Sequence, residues 1–252
     1  MSTIEPSDAI LVTGGGRGIG ARIAVRMARK GHPVAIAYLS RTAEAEAVVK
    51  EIEAFGGQAI AIKADIAKED SIIRAFEQVD QNFGRLGGLV NNAATTGGRA
   101  LVANVTHDQL DMTWATNITA AFICCREAVA RMSVSRGGRG GAIVNISSIA
   151  ARLGSPNVWV HYAASKAALE TMSLGLAREV AGEGIRVNVA RCGVIDTEIH
   201  AGHGEDRLAA LNAQIPMGRM GTADEAADVV AYLLSPQSSY VTGAVVEVGG
   251  GL

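Results

Sequence analysis

The chain has 252 residues, 48% hydrophobic and 19% charged; that is enough to bury about three quarters of the unfolded surface in a single α/β domain, with too little charge for disorder. Lysine and arginine total 23 against 25 acidic residues, a net charge of −2, which lacks the basic excess that nucleic-acid binding leaves in a composition. No stretch approaches the ~20 apolar residues of a membrane span, residues 1–8 lack the basic and apolar regions of a secretion signal, and Cys124, Cys125 and Cys192 are too few and too badly placed for a disulfide framework, so a reducing, cytoplasmic setting is expected.

Seven short apolar runs rich in Val and Ile, at 9–12, 34–38, 59–62, 88–90, 142–146, 185–190 and 244–248, read as buried strands. Helical patterns lie between them. In one, Ala45, Val48, Val49 and Ile52 share a face and leave Glu44, Glu51 and Glu53 to solvent. Thr106 with Gln109, and Thr222 with Glu225, have the spacing of a capping box and mark two helix starts. This alternation predicts right-handed crossovers, a seven-stranded parallel sheet with helices on both faces, and a ligand crevice beyond the carboxyl ends of the strands. Residues 1–252 read as one domain, with 1–7 as an N-terminal tail, 136–141 as a surface loop and 198–217 as a substrate lid.

The turn after the first strand reads Thr13-Gly14-Gly15-Gly16-Arg17-Gly18-Ile19-Gly20. Residues without a Cβ let backbone N–H groups approach a pyrophosphate, and the following helix N-terminus adds partial positive charge. A Walker A reading fails because Ala21 stands where lysine is required. The turn therefore reads as a dinucleotide site, the alternative being a tightly packed turn with no ligand. An NAD site places a carboxylate at the end of the second strand, whereas an NADP site offers a cation to the 2′-phosphate. Residues 30–43 contain no Asp or Glu; Tyr38 ends the strand, Ser40 and Arg41 follow, and Arg17 lies inside the turn. Two guanidiniums on one phosphate favour NADP over NAD.

Ser147 and Ser148 follow the fifth run, and Tyr162 and Lys166 stand four residues apart in a helical segment. On one helical face the ammonium can stabilise phenolate, and desolvated opposite charge lowers a phenol from its usual value of about 10. The expectation is a tyrosine usable as an acid or base near neutrality. Ser148 can polarise a substrate carbonyl. Singly, each residue also has a structural reading, as a helical pair or a turn.

In order along the chain, the Thr13–Gly20 turn, Asn91-Asn92-Ala93, Asn117, Ser148 and Tyr162-x-x-x-Lys166 resemble the short-chain dehydrogenase/reductase family over essentially the whole sequence. The resemblance implies a single-domain Rossmann fold, usually tetrameric, and hydride transfer between a nicotinamide and a carbonyl or alcohol. It implies Tyr162 as general acid/base, Ser148 as substrate orienter, Lys166 on the nicotinamide ribose, and Asn117 holding a water in a proton relay. The cofactor residues it implies are Gly14, Gly16, Arg17, Gly18, Ile19 and Gly20 in the turn, with Ser40 and Arg41 beyond the second strand. Asp65 and Ile66 follow the third strand, Asn92 and Ala93 the fourth, and Gly193, Ile195 and Thr197 form the nicotinamide loop, with Tyr162 and Lys166 shared. Asp65 can alternatively cap the turn into the next helix.

Three positions depart from the family pattern: Ala94 for glycine, Cys192 for proline, and Gly249 for an acidic residue. Cys192 has no histidine near it in sequence and reads as a packing residue rather than a nucleophile. His200 and His203, with Glu198 and Glu205, have a weak metal-ligand spacing, and no metal is expected. Segments 95–99, 149–159 and 198–217 are the expected substrate walls. Within the second, Ala150–Pro156 and Trp159 resemble 3-oxoacyl-thioester reductases and glucose dehydrogenases, which leaves a sugar or polyol dehydrogenase as the alternative enzyme. A nicotinamide-binding redox sensor is the non-enzymatic one, which the reactive tyrosine argues against. Arg131, Arg136, Arg139 and Arg178 would offer an acidic acyl carrier a basic face, or be simply solvated.

Overall fold

The computed structural model describes residues 4, 5, 7–198 and 212–252. Its elements in order are β1 (Ala9–Thr13), α1 (Gly18–Arg29), β2 (Val34–Tyr38), α2 (Thr42–Ala54), β3 (Ala59–Lys63), α3 (Glu69–Phe83) and β4 (Leu86–Asn91). There follow α4 (His107–Trp114), α5 (Ala120–Met132), β5 (Gly141–Ser148), α6 (Ala150–Leu153), α7 (Val160–Val180), β6 (Ile185–Cys192), α8 (Ala223–Leu234) and β7 (Val245–Val248). The strands form one parallel sheet in the order β3-β2-β1-β4-β5-β6-β7. The chain reverses direction across the sheet between β1 and β4, which opens a crevice at their carboxyl ends.

Alternate residues of each strand feed opposite faces. In β1, Ile10 and Val12 join a core with α1, α2 and α8, while Ala9 and Leu11 join the core under α3, α5 and α7. Both predicted capping boxes form, on Thr106 and Thr222. Ile4, in the predicted tail, is buried in the first core.

Two features were not foreseen. Strands β5 and β6 run on to Ser148 and Cys192, which pair with one another in register and carry the sheet to the crevice. Between α4 and α5 the helix widens into a five-residue π turn, Ala115–Thr119, in which the Ala120 N–H donates to the Ala115 carbonyl. Such a bulge accommodates an extra residue and re-aims a side chain. Here that side chain is Asn117.

Far from the crevice, Arg186 is buried and donates to the carbonyls of Leu233, Leu234 and Ser235 at 2.8, 3.2 and 3.2 Å. Its guanidinium thus satisfies the orphan carbonyls that end α8. Burial holds its pKa below the usual arginine value.

Candidate active site

The glycine turn is shaped as the sequence predicts. Gly14 has φ +64°, and a Cβ there would stand 2.9 Å from Ala93 Cα; one at Gly20 would stand 2.4 Å from the Gly14 carbonyl oxygen. Only residues without side chains fit. Thr13 Oγ1 accepts from the Asn92 and Ala93 N–H groups at 3.0 and 3.1 Å, and Asn92 Nδ2 donates to the Thr13 and Gly14 carbonyls at 3.0 and 3.1 Å. Asn92 and Ala93 therefore brace the turn, whereas the Asn91 side chain points into the core, 2.9 Å from Asn145 Oδ1. Helix α1 opens at Gly18 with no side-chain cap and no acidic residue in its first turn, which leaves its N–H groups to an anion. Gly16 lies against Ala45, Gly18 against Thr197, and Ile19 packs on the core.

At the end of β2, Tyr38 is half-buried and Ser40 and Arg41 are exposed. Arg17 and Arg41 converge, but on a carboxylate of this chain: Glu198 Oε2 accepts from Arg17 Nη1 at 2.6 Å and from Arg41 Nη1 at 3.0 Å, and Arg41 also meets Glu44 at 2.7 Å. Asp65 takes the capping geometry weighed for it, with Oδ1 accepting from the Ala67 N–H at 3.1 Å and Oδ2 3.4 Å from Lys68 Nζ.

Ser148, Tyr162 and Lys166 meet where β5 meets α7. The buried stripe of α7 includes Ala163, Ser165, Lys166, Leu169, Ser173, Ala177 and Val180, a face that returns every three or four residues as a packed helix requires. Its polar members are all satisfied. Lys166 Nζ donates to the Ile146 carbonyl at 2.8 Å, Ser173 Oγ accepts from Asn145 Nδ2 at 2.7 Å, and Ser165 Oγ accepts from Asn117 Nδ2 at 2.9 Å. From its π turn Asn117 also clamps Thr95, accepting from its N–H and donating to its carbonyl, each at 2.9 Å. A hole of about 10 Å³ opens between Thr13, Ile66, Asn91, Ala93, Thr116, Asn117 and Lys166, among others. It is the size of one water molecule and lies between the turn and Lys166.

The electrostatics differ from the expectation in one respect. The Tyr162 hydroxyl is hydrogen-bonded to Ser148, yet burial outweighs that bond and pushes the phenol up to about 12 rather than below 10. Lys166 does not offset it, because its ammonium is committed to Ile146 and stands 5.8 Å from the ring centroid. Burial also lowers Lys166 to about 8, against the opposing pull of Glu170 one turn on. Glu170 in turn holds Ser147 Oγ at 2.6 Å and Arg191 Nη2 at 2.5 Å, a partly buried charge network that no spacing in the sequence reveals.

Two of the predicted walls are each tied to a residue just beyond the other's bounds. Ala100 forms a β-bridge with Trp159 and donates to the Val158 carbonyl at 3.1 Å, and His161 Nε2 lies 2.8 Å from the Thr96 carbonyl. Ser155 (φ +42°) and Asn157 (φ +65°) are the only non-glycine residues with positive φ among those described, and backbone strain of this kind gathers at functional loops. Ala94 is not among them, so its Cβ costs nothing. In the loop after β6 Ile195 is buried, and a Cβ at Gly193 would stand 2.6 Å from Gly249 Cα. Gly249 thus supplies room, not charge. Cys192 is buried with its thiol pushed up to about 12, the state of a packing residue. Arg131 is paired with Asp80 and Glu127, and Arg139 with Asp8. His200, His203 and Glu205, with most of segment 198–217, lie outside the described residues. Among the described residues no helix is long and apolar enough to cross a membrane.

Comparison with known proteins places this geometry among relatives. A family model described as Enoyl-(Acyl carrier protein) reductase matches residues 14–252. An uncharacterized oxidoreductase of Escherichia coli K12, YgfF, is 46% identical over 96% of this chain and 98% of its own. The 3-oxoacyl-[acyl-carrier-protein] reductase FabG of Staphylococcus aureus Mu50 is 36% identical over 99% of each chain. Among solved structures, a short chain dehydrogenase from Burkholderia cenocepacia J2315 in complex with NADP superposes with a TM-score of 0.90, at 36% identity over 97% of each chain.

Proposed function

The chain belongs to the short-chain dehydrogenase/reductase family of oxidoreductases, and on that premise we propose that it reduces a ketone or aldehyde to an alcohol with NADPH, using Tyr162, Ser148, Lys166 and Asn117. The observation that carries this reading is the meeting of Ser148, at the end of β5, with Tyr162 and Lys166 of α7 at the carboxyl end of the sheet. At neutral pH a phenol carries its proton, as a proton donor to a carbonyl must.

The cradle fits a dinucleotide because a Cβ at Gly14 or Gly20 would fill it. We assign Gly14, Gly16, Gly18, Ile19 and Gly20 to the pyrophosphate, Arg17, Ser40 and Arg41 to the 2′-phosphate, and Asp65, Ile66, Asn92 and Ala93 to the adenosine. Gly193, Ile195 and Thr197 serve the nicotinamide end. Bound there, a reduced nicotinamide supplies the hydride. The substrate oxygen is met by the Ser148 and Tyr162 hydroxyls, which stabilise the charge developing on it. The Tyr162 O–H bond then breaks and its proton goes to that oxygen. Lys166 would hold the nicotinamide ribose, and the water-sized hole beside Lys166 and Asn117 is the route by which a proton returns to Tyr162.

All of 1–252 acts as one domain in this reading. A small carbonyl substrate is favoured over one borne on an acidic carrier, because Arg131 and Arg139 are already paired within the chain. Exposed Met112, Trp114 and Phe122 on α4 and α5 support a homotetramer, which sizing in solution checks.

The test is a panel of ketones, aldehydes and 3-oxoacyl thioesters offered to the purified chain with NADPH or NADH, followed by loss of the reduced coenzyme's ultraviolet absorbance. Turnover of at least one carbonyl class with NADPH, faster than with NADH, is expected. Turnover only as sugar oxidation with NAD would overturn the reading.

A further inference from the structure

Three charged side chains from distant parts of the sequence meet outside the catalytic centre. Glu198 follows Thr197, which lies against Gly18 of the turn, and a single oxygen, Oε2, takes both the Arg17 and the Arg41 guanidinium at 2.6 and 3.0 Å. That is how two arginines hold a phosphate oxygen. Arg17 belongs to the loop after β1 and Arg41 to the end of β2, the two places that flank the ribose of a dinucleotide in a sheet of this order. The carboxylate therefore stands where a 2′-phosphate would be held.

Arg17, Arg41 and Glu198 are each about half exposed, at 51, 51 and 52%. Ion pairs that wet are weak and exchange readily. The arginines hold the Glu198 carboxyl below the usual carboxylate range, so it is an anion wherever NADP is. Arg41 has a second partner in Glu44, at 2.7 Å, whereas Glu198 is the carboxylate that both arginines share.

Resting on the NADP reading above, we infer that Glu198 sets coenzyme specificity: its carboxylate is a resident anion in the Arg17–Arg41 clamp, which a 2′-phosphate must displace and a dinucleotide without that phosphate need not. The clamp is thereby never bare. With NAD(H) bound, Glu198 keeps both arginines neutralised; with NADP(H) bound, the phosphate takes them and the carboxylate is repelled into water. Glu198 thus narrows the gap between the two coenzymes without touching the reacting atoms.

The experiment is calorimetric titration with adenosine 2′,5′-bisphosphate and with adenosine 5′-monophosphate, neither of which carries a nicotinamide. Wild type should bind the bisphosphate the more tightly. Glu198→Gln, and equally Glu198→Ala at this exposed position, should tighten the bisphosphate by about three- to tenfold, the worth of the two exposed pairs, and leave the monophosphate unchanged. Bisphosphate affinity unchanged or weakened in both variants overturns the role of Glu198 while the NADP reading stands. If wild type itself shows no preference for the bisphosphate, the clamp is not a phosphate site and both readings fall.

Discussion

Around Lys166 charge is dry and held in one arrangement. The lysine is 3% exposed, its ammonium is fixed on a strand carbonyl, and Asn117 makes three hydrogen bonds that tie the loop at Thr95 to α7. Around Arg17 and Arg41 charge is half in water and shared between partners that can be exchanged. The difference follows from what each end must do. A group that moves a proton has to be placed before substrate arrives, because misplacement costs rate. A group that selects one coenzyme over another must let go of its own partner first, so its contacts are better weak. Preorganisation and exchange are thus divided between the two ends of one crevice.

The largest effect should come from the dry end. Tyr162→Phe removes the proton donor and keeps the ring, so kcat should fall by about 10²- to 10⁴-fold, with NADPH affinity by fluorescence titration little changed. If coenzyme binding collapsed as well, the two ends would not be separable. At the wet end, Arg17→Ala or Arg41→Ala should weaken NADP(H) binding by about tenfold, the worth of one charge-assisted hydrogen bond, and leave NAD(H) binding and kcat alone. An equal loss for both coenzymes would make these arginines structural.

The smallest effect sharpens the dry end. Burial lowers the pKa of Lys166 to about 8, opposed by Cys192 and then by Glu170. A lysine lowered by burial is charged below that value and loses its charge as pH rises through it, so kcat/KM for reduction should decline above about pH 8. Glu170→Gln removes the carboxylate and should move that decline to lower pH, with a loss under about tenfold at the old breakpoint, since one pKa unit is a tenfold change in charged fraction. An unmoved profile would leave Glu170 a packing partner of Arg191 only.

The sheet, the glycine turn and the Tyr162–Lys166 spacing were legible because each depends on neighbours in sequence: strand runs, residues without Cβ, one helical turn. What was not legible depends on distance or on degree. Glu198 lies 181 positions from Arg17 and 157 from Arg41, and nothing local marks its partners. Asn117 sits in Ala-Thr-Asn-Ile-Thr, a string with no composition cue for a π turn. The spacing of Tyr162 and Lys166 placed both on one helix, but only the burial of the phenol decides that its pKa rises. Asp65 shows a third kind of limit, since one carboxylate served the capping geometry and the family role equally well on paper.

The widened turn at Asn117 has a consequence of its own. A bulge of this type is an insertion absorbed within the helix, so the flanking turns keep their faces toward the sheet whether or not the extra residue is present. The helix can close without residue 117, but the Thr95 loop and Ser165 cannot keep their partner. Loss of a single codon here would restore a regular helix and orphan the Thr95 backbone and Ser165 hydroxyl together, so the lesion should show as a lowered melting temperature as well as a severed link between loop and helix.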